Sequence, residues 1–429
     1  MGWHGHSLPA APGGPHVVAN ILIFPRYLRV SGEFTLLSTD GGQALPGIPL
    51  GGPRRRSIIT LSLRIHESAS ASEIFVTAGP SGRRPLQQQA REVFEAVAET
   101  LRAGRARILQ ERIFGVESAF ASIMPVRTAA YGDLDDGGPP VLLAVPEGPD
   151  GALAGVQIHA VRASSNPKVL RCGKKACGRM LRAGGYDYVA LSGLVAPEAG
   201  AAPAQARAVF EKAEAALRKA GGDMFSVVRT WLWLGDILSW YGEFNRVRSG
   251  FFTERGLLDG DPQHSRLPAS TGIGVGPAGG ARCALDVIAV IGQEAGIEYF
   301  RGAGRQHCAY NYGSAFSRVA RAITPAGRTV YVSGTAAIDA AGRTQHVGDA
   351  AGQIKMTIDN VRAALKDADC TDDDVVYAIV YSKTPDVEKL FRERWAGLPW
   401  PCVSVLSDVC REDLLFEVEA AACPGARKA

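Results

Sequence analysis

Tyr331-Val332-Ser333-Gly334-Thr335-Ala336-Ala337-Ile338-Asp339 is the stretch on which the fold turns. Its first five residues read as a strand of aromatic and β-branched side chains running into a small-residue turn. Downstream, Gln353-Ile354-Lys355-Met356 opens an amphipathic segment whose Leu365 lies twelve residues after the Gln. Phe416-Glu417-Val418-Glu419-Ala420 then closes the unit as a second strand. The order is strand, helix, strand.

The same landmarks occur twice upstream. Ile74-Phe75-Val76-Thr77-Ala78-Gly79 precedes a segment from Gln89 to Leu101 and then Val156-Gln157-Ile158-His159-Ala160. Tyr188-Val189-Ala190-Leu191-Ser192-Gly193 precedes one from Gln205 to Leu217 and then Leu285-Asp286-Val287-Ile288-Ala289. Apolar positions recur at helical spacing in each middle segment. Repetition at this scale predicts one supersecondary unit built three times. The fold class expected is α+β, with a Gly/Pro-rich tail at 1–16 and repeats at 17–166, 167–296 and 297–429. The Pro/Gly/Asp-rich stretches 135–140 and 259–262 then fall inside repeats as loops.

Composition agrees with this size and excludes other classes. A chain of 429 residues suits about three domains of roughly 100 to 150 residues. Hydrophobic residues at 46% and charged ones at 21% describe a globular chain rather than a disordered one. Forty-seven Lys and Arg against 43 Asp and Glu give a net charge of +4, far from the basic footprint of a nucleic-acid binder. No apolar run reaches about 18 residues and no signal peptide is evident, so a cytoplasmic protein without a membrane partner is expected. The eight Cys residues lack framework spacing, and most are expected as reduced thiols. Cys172 and Cys177 have no companion ligands, so no metal site is expected, and His4 and His6 fall in the tail.

The third repeat, with Gly348-Asp349-Ala350, Gln353, Asn360 and the terminal Glu strand, resembles the RidA (YjgF) family, which has a chorismate mutase-like α+β subunit. That resemblance implies a trimer with sites in the clefts between subunits. RidA deaminases hold a substrate carboxylate with an Arg on a cleft strand. The matching places here read Leu398-Pro399-Trp400-Pro401-Cys402-Val403 and Leu267-Pro268-Ala269-Ser270-Thr271-Gly272, with no Arg.

Three such units in one chain, an intramolecular pseudo-trimer, resemble the chorismatase family. Arg229-Thr230-Trp231, Tyr241, Phe244-Asn245, Arg248, the 267–274 stretch, Ala309-Tyr310 and Phe316-Ser317-Arg318 carry the likeness. It implies that the substrate is chorismate, that pyruvate is released, and that no metal or redox cofactor is used. A pseudo-trimer that pairs its own strand faces is expected to be a monomer.

Cleaving the enolpyruvyl vinyl ether of chorismate requires a proton delivered to carbon, and a buried carboxylic acid is the natural donor. Glu417 and Glu419 lie two apart on a strand and face the same side, so like charge and burial raise one pKa. Glu417 is assigned as the acid, from its match to the RidA pattern, and Glu419 as its supporting neighbour. The first two repeats are read with Gln157/His159 and Asp286/Ile288 at these places, leaving one site per chain.

The two carboxylates of chorismate call for Arg clamps. Tyr241, Asn245 and Arg248 interrupt an apolar helical stripe with polar groups, which a ligand explains better than packing. Arg318, with Tyr310 nearby, is the second clamp, while Arg229 is read as structural, paired with a carboxylate between repeats. Cys410, seven residues before Glu417, resembles the branch forming 3-hydroxybenzoate. A hydrolytic branch giving a dihydroxycyclohexadienoate, a RidA-type deaminase and a ligand-binding protein remain alternatives.

Overall fold

The structure, a computed structural model, describes residues 58–261, 264–292 and 296–429. The tail at 1–16, His4, His6, the start of the first repeat and Pro262 lie outside the described residues. The first repeat contains β1 (Ile59–Glu67), β2 (Ala71–Pro80), α1 (Leu86–Ala103), β3 (Arg107–Gly115), α2 (Phe120–Tyr131), β4 (Val141–Ala144) and β5 (Leu153–Ala163). The second contains β6 (Lys168–Cys172), β7 (Lys175–Ala183), β8 (Tyr186–Val195), α3 (Ala202–Lys219), β9 (Val227–Leu234), α4 (Ile237–Glu254), β10 (Ala269–Ile273), β11 (Gly276–Pro277) and β12 (Cys283–Ile291). The third contains β13 (Glu298–Phe300), β14 (Val319–Thr324), β15 (Gly327–Ala336), α5 (Ala350–Asp367), β16 (Val375–Ser382), α6 (Pro385–Arg394), β17 (Cys402–Leu406), β18 (Phe416–Ala422) and β19 (Arg427–Lys428).

Strand order repeats with the sequence. It runs β4-β3-β5-β2-β1 in the first sheet, β10-β9-β12-β8-β7-β6 in the second and β17-β16-β18-β15-β14-β13 in the third. The first sheet is extended by β11 of the second repeat beside β4 and by β19 of the third beside β1. In every sheet the closing strand pairs antiparallel with two neighbours, and a short strand adds parallel to one of them. The three helices that begin near a Gln cover the outer faces. Val93, Phe94 and Leu101 of α1, Val209, Phe210 and Leu217 of α3, and Ile354, Val361 and Leu365 of α5 are wholly buried against their own sheets. Each helix stripe therefore meets one sheet face, which is what makes the repeat a folding unit.

The inner faces of the three sheets meet in a shared core that includes Phe75, Phe114, Trp231, Trp233, Tyr331, Tyr377 and Tyr381. A polar belt crosses it. Arg112 donates to Asp286 at 3.0 Å and to Gln157 at 3.0 Å, joining the first two repeats. Arg229 donates to Glu419 at 2.8 Å, joining the second and third. Fully desolvated charges persist only when paired in this way. The carboxylate partner expected for Arg229 is thus Glu419.

The ladders correct the register assumed between repeats. Gln157 lies opposite Arg112, Asp286 opposite Trp231 and Glu419 opposite Ile379, each at the same step of its sheet. Gln157 and Asp286 therefore correspond to Glu419, and the places corresponding to Glu417 hold Gly155 and Ala284, opposite Phe114 and Trp233. A slip of two residues preserves the alternation of faces, so sequence alone does not expose it.

Cys172 and Cys177 also depart from expectation: the tight β6–β7 turn brings their Cα atoms to 5.7 Å and they pair as a disulfide, while the other six cysteines are free. Among the described residues no helix is long and apolar enough to cross a membrane.

Candidate active site

The cleft between the second and third repeats holds a cavity of about 190 Å³. The second repeat supplies Tyr241 and Asn245 from α4 and Ser270 and Gly272 from β10. The third supplies Arg318 at the start of β14, Gly334 and Ala336 from β15, Cys410 and Arg411 from the loop ahead of β18, and Glu417 from β18 itself.

Glu417 is 5% exposed, and among the described residues its carboxyl makes no hydrogen bond to the protein. Burial, reinforced by the charge of Glu419, pushes it up to about 8, against the opposing pull of Arg318 and Arg229. Glu419, 1% exposed, accepts from Arg229 and, at 2.6 Å, from the Trp231 indole. The two carboxylates share a strand face but have opposite settings, and only one is free of donors. Gly334 provides the room, since a Cβ there would collide with Oε1 of Glu417.

Arg318, 3% exposed, is more buried than Arg411, the other arginine lining the cavity. It donates from Nε to the His307 carbonyl at 3.2 Å and lies 5.3 Å from the Phe316 ring, and burial draws its guanidinium down to about 10. Burial pushes the Cys410 thiol up to about 12, with Glu417 adding to the shift, so Cys410 stands as a neutral thiol at pH 7. Burial likewise raises the Tyr241 hydroxyl, which interacts with Ser314 and Arg248.

The expected residues do not all reach the wall. Arg248, 1% exposed, lies behind it, donating to Asn245 Oδ1 at 2.6 Å and packing 5.5 Å from Phe316. It braces Tyr241 and Asn245 rather than lining the cavity. Tyr310 sits in a short 3-10 helix (Ala309–Tyr312) with its side chain 37% exposed and is absent from the wall. Its ring faces solvent from that turn. Arg411, which sequence reasoning passed over, lines the cavity and donates to the Gly342 carbonyl at 2.7 Å. Its only sequence signal is adjacency to Cys410. The site thus gathers Glu417, Cys410, Tyr241, Asn245 and Arg318, with Glu419 and Arg248 one layer behind.

Residues 313–423 match the family model described as Endoribonuclease L-PSP. No curated protein matches the chain in sequence. Among solved structures, a chorismatase aligns with a TM-score of 0.55 at 21% identity, covering 74% of this chain and 93% of that one. The YjgF gene product of E. coli aligns over 25% of this chain and 86% of its own, at 21% identity and a TM-score of 0.20. A probable translation initiation inhibitor from Rhodopseudomonas palustris aligns over 29% and 96%, at 21% identity and a TM-score of 0.24. The chain has a chorismatase-like fold assembled from RidA-like repeats, with the family match falling on the repeat that carries Glu417.

Proposed function

We propose that the protein converts chorismate to 3-hydroxybenzoate and pyruvate, with Glu417 as the general acid. The observation that carries this reading is a buried carboxyl, held up to about 8 and without a hydrogen-bond donor among the described residues, facing a small cavity lined by Arg318 and Arg411. A carboxylic acid that stays protonated near neutral pH can deliver its proton to a vinyl-ether carbon. The chorismatase-like fold supports the substrate class.

In this scheme Arg318 and Arg411 bind the two substrate carboxylates, and Tyr241 and Asn245 orient the ring. Glu417 protonates the methylene carbon of the enolpyruvyl group, giving an oxocarbenium ion whose charge the Glu417 carboxylate then offsets. The ring hydroxyl oxygen bonds to the carbon that carried the ether as the bond to the side-chain oxygen breaks, so pyruvate departs, an epoxide remains and the hydroxyl proton returns to Glu417. The epoxide then opens at the other carbon, and transfer of the ring proton from the first carbon to the oxygen aromatises the product. The two products together sum to chorismate, so no water is consumed overall. The neutral Cys410 thiol beside Glu417 occupies space that a water molecule would need for the hydrolytic course.

Incubating the protein with chorismate and quantifying pyruvate and ring product by chromatography and proton NMR tests this. Equimolar pyruvate and 3-hydroxybenzoate are expected. Pyruvate with a dihydroxycyclohexadienoate, which takes up one water, would keep the acid and reassign the branch. No pyruvate above the spontaneous rate, with ammonia released from imino acids instead, would establish a deaminase.

A further inference from the structure

Thr271 is a feature of this cleft that the two sister clefts lack. Opposite Trp231 it occupies the step that Val141 occupies opposite Arg112 and Val403 occupies opposite Ile379. Thr and Val have nearly the same shape, so packing alone does not require the hydroxyl. The Thr271 Oγ1 accepts two hydrogen bonds, from Arg229 Nη2 at 2.5 Å and from the Gly334 amide at 3.0 Å.

Gly334 is the backbone on which the Glu417 carboxyl rests. It sits in a bulge of the β15–β18 ladder between Val332 and Thr335. The second repeat has the matching bulge between Leu285 and Val287, with Gly193 opposite, and there the outcome differs. With Val141 as the neighbour, the Gly193 amide donates to a carboxylate, Asp286 Oδ1, at 2.7 Å, the residue that corresponds to Glu419. Gly193 reaches this with φ +61, whereas Gly334 stays outside the left-handed region. Glycine permits either orientation at little cost, so the neighbouring side chain decides which way the amide points.

We propose that Thr271 is a positioning residue that captures the Gly334 amide and so keeps it from donating to the carboxylates, leaving Glu417 as an acid rather than a stabilised carboxylate. This rests on the reading of Glu417 as the proton donor. In the second repeat the place corresponding to Glu417 holds Ala284, whereas here the carboxyl lying against the glycine is that of Glu417, so an amide released from Thr271 would turn onto Glu417 and favour its charged form. The other groups facing Glu417 are Glu419 on its own strand, Arg229 on β9, Tyr381 on β16, Tyr241 on α4, Arg318 ahead of β14, and Cys410 on the preceding loop. None of them is a backbone donor.

The experiment compares wild type, T271V and T271S in two ways. Carbon-13 NMR titration of glutamate carboxyls, with E417Q fixing the assignment, needs no substrate. The Glu417 midpoint is expected to fall by at least about one pH unit in T271V and to return in T271S. The pH profile of pyruvate release should move by the same amount, so that at pH 9 the T271V rate falls about tenfold while KM stays within about twofold. A folded T271V with an unchanged Glu417 midpoint overturns the proposal. If T271V does not fold, T271A carries the same expectation and the same refutation. A shifted midpoint in a protein that releases no pyruvate would sustain the role of Thr271 and reject the chorismate reading instead.

Discussion

Glu417 and Glu419 lie two residues apart on one strand face, and among the described residues the hydrogen-bond donors go to the second. Arg229 and the Trp231 indole hold Glu419 at 2.8 and 2.6 Å, whereas Glu417 faces the cavity with no donor among the described residues. The ionised member raises the proton affinity of the other, and burial adds to it.

The first prediction concerns pH. The Glu417 carboxyl moves from an ordinary 4.5 to about 8, so the folded state holds this proton more tightly than the unfolded chain. Its contribution is fully present below about 4.5 and is lost as pH rises through about 8. Between those values stability should decline by up to about 1.4 kcal/mol per pH unit. E417Q should abolish pyruvate release while removing this decline. Denaturant melts at pH 5 and pH 9 measure it, and equal pH dependence in both proteins would show that Glu417 is not the buried acid.

Arg318 anchors the second prediction. A charge-assisted contact to a carboxylate strengthens binding more than a neutral one, and Lys cannot reproduce the planar fork. R318A should raise KM for chorismate at least about tenfold, with R318K recovering only part of it. R411A should behave alike, because both guanidinium groups line the same wall. Steady-state pyruvate assays decide, and an unchanged KM in both variants would remove the clamps from the scheme.

Much of this was legible in the sequence, and the limits have physical causes. The strand, helix, strand order showed because burial of one helix stripe against one sheet face imposes a periodicity that each repeat must write out. Tyr241 and Asn245 were read as breaks in an apolar helical stripe, whereas Glu417 and Cys410 were read from the family resemblance. The register between repeats was not, since alternation is blind to a two-residue slip and the bulges at Gly193 and Gly334 have no counterpart in the β2–β5 ladder. Arg411 lies in an irregular loop and Tyr310 in a single short 3-10 turn, neither long enough for a period that says which way a side chain points.

Cys410 gives a third prediction. Its thiol is neutral and sits beside the acid, so its part is to shape the cavity and exclude water rather than to attack. C410A opens space next to Glu417 and should divert product toward the water-adding branch, while total pyruvate changes by less than about threefold. Chromatographic product ratios test this. Unchanged ratios would take Cys410 out of branch selection.

Glu419 carries the last. Replacing it by Gln removes the charge that lifts Glu417, and it also leaves the Arg229 guanidinium buried without its counter-ion. Both changes favour the ionised form of Glu417, so the alkaline limb of the pyruvate rate should move to lower pH. Breaking a buried pair from one side typically costs about 3–5 kcal/mol, so E419Q should also be much less stable than wild type. E417Q, which removes no counter-ion, should lose activity without that loss of stability. The pair of variants therefore separates the two carboxylates: one failing in turnover, the other in folding and pH response. An E419Q protein as stable as wild type with an unmoved pH profile would mean that the Arg229–Glu419 pair does not govern the acid.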